Sequence, residues 1–327
     1  MIKYSSRMTG WAASALLALV TTASAEVKLN DNFSVSGYIE GSYQYTDPKP
    51  GDSTDRLNID SSQLLFTTNF KPVTGVVSLF YVPKAEQETT LLDAYVTYDA
   101  GNGLTVTGGK FLSYLGYESF FTVNNPEISF ANGDFLAPIP GYHSGVKVDY
   151  GTKEYGVGAA LVDSVYSPFY LKGDGELKHN AGFEGYFSYK AVENLILWAG
   201  VAYDTKGSRD IASQAHAVTT LDFWAQYQVD KAITVAAEYA HKDGGPGAKG
   251  YNWLALMTYA FTDKFSTAFR VSGEKVTDGP SFTKFTIAPG VAVTDKLTVR
   301  AEYSYYDYKD AATDKANYFG VQAFFKF

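Results

Sequence analysis

Residues 112–142 carry three acids, Glu118, Glu127 and Asp134, in a stretch that breaks the pattern of everything around it. Three prolines, Pro126, Pro138 and Pro140, and seven aromatics (Tyr114, Tyr117, Phe120, Phe121, Phe130, Phe135, Tyr142) accompany them. A connection longer than about 12–15 residues is either functional or disordered, and this aromatic content argues against disorder. Elsewhere, charges fall on alternating positions: the bases Lys147, Arg270 and Arg300, and the acids Glu40, Asp149, Glu238 and Glu302. Acids on one side of a narrow aqueous passage and bases on the other create a transverse field that orients dipolar solutes. The bland alternative is a solvated loop whose acids do nothing, with the other charges pairing among themselves. Lys110 joins the basic set only if a bulge at Gly108-Gly109 turns it inward. His143 is placed on the same wall. Trp224 shares a face with Asp222, Gln226 and Gln228 and is the best single candidate for an inward aromatic.

Other chemistries fit poorly. His143 neighbours Ser144, but adjacent strand residues point to opposite faces, so they cannot form a base–nucleophile pair. His241 closes a strand with no serine nearby, and His179 and His216 fall in loops. No enzyme and no cofactor are expected. The four histidines share no i,i+2 or i,i+4 spacing and cysteine is absent, so no metal site is expected either. Gly173-Asp174-Gly175-Glu176 lacks the full calcium-loop pattern. The glycine-rich run 244–250 lacks the Gly-Lys-Ser/Thr ending of a phosphate loop.

The elements that must position these residues begin after a leader. Lys3 and Arg7 precede a short apolar run, Trp11–Val20, and Ala23-Ser24-Ala25 forms a small-residue cleavage site. That is the layout of a secretory signal peptide over 1–25, with export implied. No later run approaches the roughly 20 apolar residues of a spanning helix. The mature chain, 26–327, is therefore either soluble or a membrane barrel. Removing Lys3 and Arg7 leaves 25 basic against 35 acidic side chains, which argues against nucleic acid as a partner. Tyrosine and phenylalanine are abundant, at 26 and 22. Cysteine staples are unnecessary in a barrel whose strands are all paired.

Period-two alternation runs through the mature chain. In 33–45, Phe33, Val35, Ile39, Tyr43 and Tyr45 share one face, while Ser34, Ser36, Glu40 and Gln44 share the other. That length exceeds the roughly 5–6 residues of an average globular strand and suits the roughly 9–11 of a membrane strand. Sixteen strands can be read, with a margin of fourteen to eighteen. The connections alternate between short turns, several written Thr-Asp-Lys, and longer loops at 46–55, 83–88, 112–142, 164–180, 204–216, 242–250, 275–281 and 309–317. This predicts an all-β, transmembrane antiparallel barrel with short periplasmic turns and long extracellular loops. A change of apolar phase between Leu57/Ile59 and Leu64/Phe66 predicts a bulge. Tyr43/Tyr45, Trp198/Tyr203, Trp253/Tyr259 and Tyr303/Tyr305 are expected to include interfacial girdle residues.

The last strand alternates Phe319, Val321, Ala323 and Phe325 and ends in Phe327. It resembles the signal by which the barrel-assembly machinery recognises its clients. Gly109-Lys110-Phe111, Gly116-Tyr117-Glu118 and Tyr142-His143-Ser144-Gly145-Val146 follow one another in an order that resembles the OmpL-like family of bacterial outer-membrane beta-barrel porins. The resemblance covers about 40 residues. It implies a monomeric or oligomeric diffusion pore and names no solute. The expectation is a passive porin for small hydrophilic solutes or ions, embedded in outer-membrane lipid, with homo-oligomers in view. The runner-up is a structural or adhesive barrel with a plugged lumen and partner-binding loops.

Overall fold

The computed structural model describes residues 26–83, 89–166, 181–205 and 216–327. The leader, Gly173-Asp174-Gly175-Glu176, His179 and parts of three expected loops lie outside the described residues.

A two-residue strand, β1 (Val27–Lys28), precedes sixteen longer ones. These are β2 (Phe33–Lys49), β3 (Thr54–Phe70), β4 (Val73–Tyr81), β5 (Thr89–Gly101), β6 (Leu104–Leu112), β7 (Tyr142–Gly151), β8 (Tyr155–Val162) and β9 (Gly182–Tyr189). They continue as β10 (Leu195–Asp204), β11 (Val218–Gln228), β12 (Ile233–Asp243), β13 (Lys249–Ala260), β14 (Phe265–Val276), β15 (Ser281–Ala292), β16 (Leu297–Lys309) and β17 (Lys315–Lys326). Each pairs antiparallel with its sequence neighbour, and β17 pairs with β2, so the sheet closes. Phe327 exchanges backbone hydrogen bonds with Gly37, at 2.8 and 2.9 Å. β1 takes the next places on the same edge, with Val27 opposite Val35. No spanning edge is left unpaired, as a lipid environment requires.

The burial pattern is inside out. Phe187, Phe223, Phe285 and Phe319 are exposed, whereas Arg270, Glu274, Lys284 and Glu302 are buried. Along β12, Thr234, Ala236, Glu238 and Ala240 point into the barrel while Ala237 and Tyr239 point out. An apolar exterior around a polar interior is stable only with lipid outside.

The expected bulge lies at Asp60. Glu40 pairs with Ser61 and Gly41 with Ile59, leaving Asp60 as the extra residue. It keeps Leu57, Ile59, Leu64 and Phe66 all on the lipid face.

The bulge expected at Gly108-Gly109 is absent. Gly108, Gly109 and Lys110 pair in unbroken step with Val96, Tyr95 and Ala94, and with Val146, Gly145 and Ser144. Lys110 therefore keeps the phase of Leu104 and Val106 and is not a pore-wall residue. Its amine donates to the Leu91 carbonyl at 2.8 Å. Gly109 serves another need: its φ is +132°, and a Cβ there would lie 2.2 Å from the Ala94 carbonyl oxygen.

Several loops are shorter than the sequence suggested. β2 and β3 stay paired as far as Thr46 opposite Thr54, and β16 and β17 as far as Asp307 opposite Lys315. Beyond the lipid both faces of such a ribbon are polar, so alternation vanishes while backbone pairing continues. Trp198 corrects another expectation. Tyr43, Tyr203 and Tyr303 face outward, but Trp198 is 4 % exposed and points into the lumen, opposite in phase to Tyr203.

Candidate functional site

The long loop between β6 and β7, residues 113–141, folds into the lumen. It contains no lysine or arginine, so its only charged side chains are acids, and it brings aromatics and its own peptide groups besides. The wall meets those peptide groups with carboxylates. Glu184 accepts from Ser113 Oγ at 2.5 Å and Tyr114 N–H at 3.1 Å. Asp222 accepts from Gly116 N–H at 2.8 Å, and Glu238 from Tyr117 N–H at 2.6 Å. Gly116, with φ +103°, makes this bend possible. Thr122 donates to Glu40. Further on, Glu302 accepts from Ile128 and Ser129 N–H at 2.6 and 3.0 Å. Glu274 gathers the N–H groups of Gly133, Phe135 and Leu136. Bonds from an N–H to a carboxylate are charge-assisted and about twice as strong as neutral ones.

Wall bases take the other pole of the peptide. Arg300 donates to the carbonyls of Thr122 (3.0 Å) and Asn125, and Lys284 to Phe130 at 2.9 Å. Lys242 holds Leu136 at 3.0 Å and Ala137 at 3.3 Å. Arg270 reaches Ser129 at 2.9 Å and pairs directly with Glu118. Glu127 faces Arg270 at 3.7 Å with neither carboxylate oxygen hydrogen-bonded. Burial pushes this loop carboxyl up to about 7; Arg270 opposes the shift, while Glu118 and Glu302 reinforce it. Asp134 sits apart at an exposed turn, 3.4 Å from the Tyr308 hydroxyl.

The residues named from sequence thus fall into separate groups. Glu118, Glu127, Arg270, Arg300 and Glu302 come together where the loop meets β14 and β16. Glu238 holds the first limb of the loop instead. His143 lies beside Glu184, with Nε2 3.4 Å from the carboxylate, and stacks edge-on with Phe111. Lys147 places its amine over Phe111 and Tyr114, at 4.8 and 5.1 Å from the ring centres. Asp149 lies inward on the same strand and is only partly buried. Trp224 is 8 % exposed. It stacks on Trp198 at 5.6 Å, which in turn stacks on Tyr186 at 6.1 Å. Tyr117 abuts Trp224 edge-on at 5.6 Å. This ladder of rings lies beneath the loop and packs it against β9–β11.

The wall charges mostly bind loop peptide groups rather than each other, which neither expectation foresaw. Sequence reading missed Glu184, Glu274, Lys242 and Lys284 as site residues and noticed Asp222 only as a companion of Trp224. Their one signal was an inward phase. Phase gives the face of a strand, not the height at which a loop arrives.

Space remains beside the loop. A cavity of about 1470 Å³ is lined by Arg56, Asn58 and Asp60 on β3 and by Gln322 and Lys326 on β17. It also reaches Lys264, in a short turn at the opposite end of the barrel from the β2–β3 hairpin tip. Its wall carries a chain of hydrogen bonds. Arg56 donates to Gln44 at 2.9 Å, Gln322 donates to Asp60 at 3.2 Å, and Arg300 Nε donates to Gln322 at 2.9 Å.

Comparison with known proteins agrees with this architecture. A family model described as "Putative beta-barrel porin-2, OmpL-like" matches residues 32–327. No curated protein matches. Among solved structures, DcaP, an outer-membrane channel of Acinetobacter baumannii, is 13 % identical with a TM-score of 0.67, over 92 % of this chain and 99 % of its own. OmpF of Salmonella typhi is 12 % identical with a TM-score of 0.69, over 92 % and 100 %. OmpT of Vibrio cholerae, in a trimer form, is 15 % identical with a TM-score of 0.60, over 91 % and 100 %. With its polar lumen, lipid-facing exterior and a family match over residues 32–327, the chain belongs to the OmpL-like beta-barrel porins, passive channels of the bacterial outer membrane.

Proposed function

We propose that this porin passes small hydrophilic solutes and ions along the gap between the docked loop and strands β2, β3 and β14–β17, with no catalytic step. One observation carries the reading: a single cavity is lined by Arg56 at the loop-bearing end and by Lys264 in a turn at the other. A sixteen-stranded barrel has room for an aqueous channel, and the loop reduces it to one sector. Charged and amide groups line that sector, which suits hydrated solutes over apolar ones. The absence of catalysis is supported by His143, whose acidic neighbour is Glu184 while Ser144 points to the other face.

The loop touches β2 and β16 on one side and β9–β14 on the other, which favours a second reading as a plugged, adhesive barrel. Single-channel recording in a planar bilayer separates the two. Stable steps from folded mature protein, enlarged several-fold when residues 114–140 are replaced by a short Gly-Ser linker, support the channel. Silence from verified folded protein that persists after the replacement overturns it. Cleavage after Ala25, assembly through the strand ending in Phe327 and association of barrels into homo-oligomers belong to the same proposal. Mass spectrometry of the mature N-terminus, export of a chain lacking Phe327, and light scattering in detergent test them.

A further inference from the structure

Beneath the first limb of the loop, β11, β12 and β13 place Asp222, Ala240 and Asn252 in one row, directly opposite one another. Glu238 lies one inward step away on β12. All four are nearly or fully buried. Ala240, with only a methyl, stands between Asp222 and Asn252, and the N–H groups of Gly116 and Tyr117 lie on the Asp222 and Glu238 carboxylates; this place is called the recess below. Glu238 and Asn252 both border the main cavity, which gives the recess a way in.

Among the described residues, the hydrogen-bond inventory of this recess does not close. Asp222 uses Oδ2 for Gly116, and its Oδ1 has no partner. Asn252 is 1 % exposed, and neither its oxygen nor its nitrogen has a partner. Among the described residues, Glu238 accepts from the Tyr117 N–H alone. Among the described residues, no ion pair brings a lysine or arginine to either carboxylate. The nearest base along β12, Lys242, is engaged by Leu136 and Ala137 and by the ring of Tyr166, 4.4 Å away. Two buried carboxylates without a counter-charge, beside a buried amide without a partner, are costly unless something satisfies them.

We infer that this recess binds a hard divalent cation of the Ca²⁺ kind through side-chain oxygens of Asp222, Glu238 and Asn252. Asp222 and Asn252 are two inter-strand steps apart, roughly 9–10 Å. Two short side chains reaching inward can close that span around an ion held at roughly 2.3–2.6 Å from each oxygen. Ca²⁺ tolerates such irregular oxygen sets and completes its shell with water from the cavity, whereas Mg²⁺ demands a near-ideal octahedron. The same carboxylates hold the N–H groups of Gly116 and Tyr117, so the ion also fastens the loop. Ion binding here depends on the docked loop and not on conduction, so it stands or falls separately from the channel reading.

The test is calorimetric titration of CaCl₂ into folded, chelator-treated full-length mature protein in detergent, with MgCl₂ as competitor. One Ca²⁺ per chain is expected, not displaced by equimolar Mg²⁺. Asn252→Leu and Asp222→Asn each weaken it by about ten-fold or more. Asp134→Asn, on the exposed turn, leaves it unchanged. Absence of Ca²⁺ binding in the folded wild type overturns the inference, as does undiminished binding in the Asn252→Leu variant. Infrared spectra of the wild type provide a check that needs no variant. Carboxylate bands that shift on adding Ca²⁺ support the site. Spectra that Ca²⁺ leaves unchanged, with no carboxylate band shifted and the protonated-carboxyl band undiminished, mean that a proton holds the pair, and overturn it.

Discussion

Arg300 and Glu302 lie two residues apart on β16, so both point inward, and they grip opposite poles of one loop. The Arg300 guanidinium donates to the carbonyls of Thr122 and Asn125. The Glu302 carboxylate accepts from the N–H groups of Ile128 and Ser129. An acid and a base that could have paired with each other instead clamp the chain crossing the lumen. Glu302→Gln keeps the shape and loses the charge, and should destabilise the folded barrel by about 2 kcal/mol. The thermal midpoint in detergent reports that loss. Flicker in single-channel records should increase as the loop loosens. A variant as quiet and as stable as wild type would show that no clamp operates here.

The ring ladder under the loop is the next test. Trp224 stacks on Trp198 and receives Tyr117 edge-on. Trp224→Ala opens a cavity beneath residues 114–117 and should cost about 3 kcal/mol or more. Trp224→Phe should recover much of it. Conductance should change little in the phenylalanine variant, since Trp224 faces the loop and not open water. A large conductance change in Trp224→Phe would instead place this ring on the solute path.

Charge selectivity should divide the loop acids. Glu127 faces Arg270 and is buried, whereas Asp134 is exposed at the turn. Reversal potentials in a salt gradient should move toward anion preference for Asp134→Asn and stay near wild type for Glu127→Gln. The shift should shrink at high ionic strength, because exposed charges are screened over about 8–10 Å at physiological salt. The reverse ranking would mean that ions pass close to Glu127.

Glu127 also sets a pH dependence. Its carboxyl is held up to about 7, above the ordinary carboxylate value, chiefly by burial. The docked loop therefore favours the protonated form. That contribution is complete below the ordinary carboxylate value and is lost as pH rises through about 7. Chymotrypsin cleavage at the loop aromatics should be faster at pH 8 than at pH 5.5, after correction for the protease's own pH profile on an unfolded substrate. Glu127→Gln should flatten the dependence. Equal protection across the range in the wild type would refute it.

The barrel could be read from residue order because lipid imposes a strict rule. Every spanning strand must show an apolar face, so Phe319, Val321, Ala323 and Phe325 announce their strand without reference to any partner. The Asp60 bulge was legible for the same reason: a strand that keeps one face to lipid can change apolar phase only by carrying an extra residue. The hairpin extensions were not, because beyond the lipid both faces of Thr54–Arg56 are polar and no phase can be seen. Lys110 misled because a positive charge in a lipid-facing phase invites a bulge, whereas the strand stays in register and Gly109 absorbs the strain in φ.

The site divides along the same line. Sequence alone determined the closed wall, the inward phase of Glu40, Glu238, Arg270, Arg300 and Glu302, and the singular character of residues 112–142. Only the tertiary structure decided that this loop crosses the lumen, that wall acids hold its N–H groups and wall bases its carbonyls, and that Trp198 joins Trp224 beneath it. Alternation is a local property, fixed by each residue and its neighbours two places away. Docking is a match between a loop and strands as far as 202 residues away, as between Asn124 and Lys326. It depends on the heights at which both arrive once the barrel has closed.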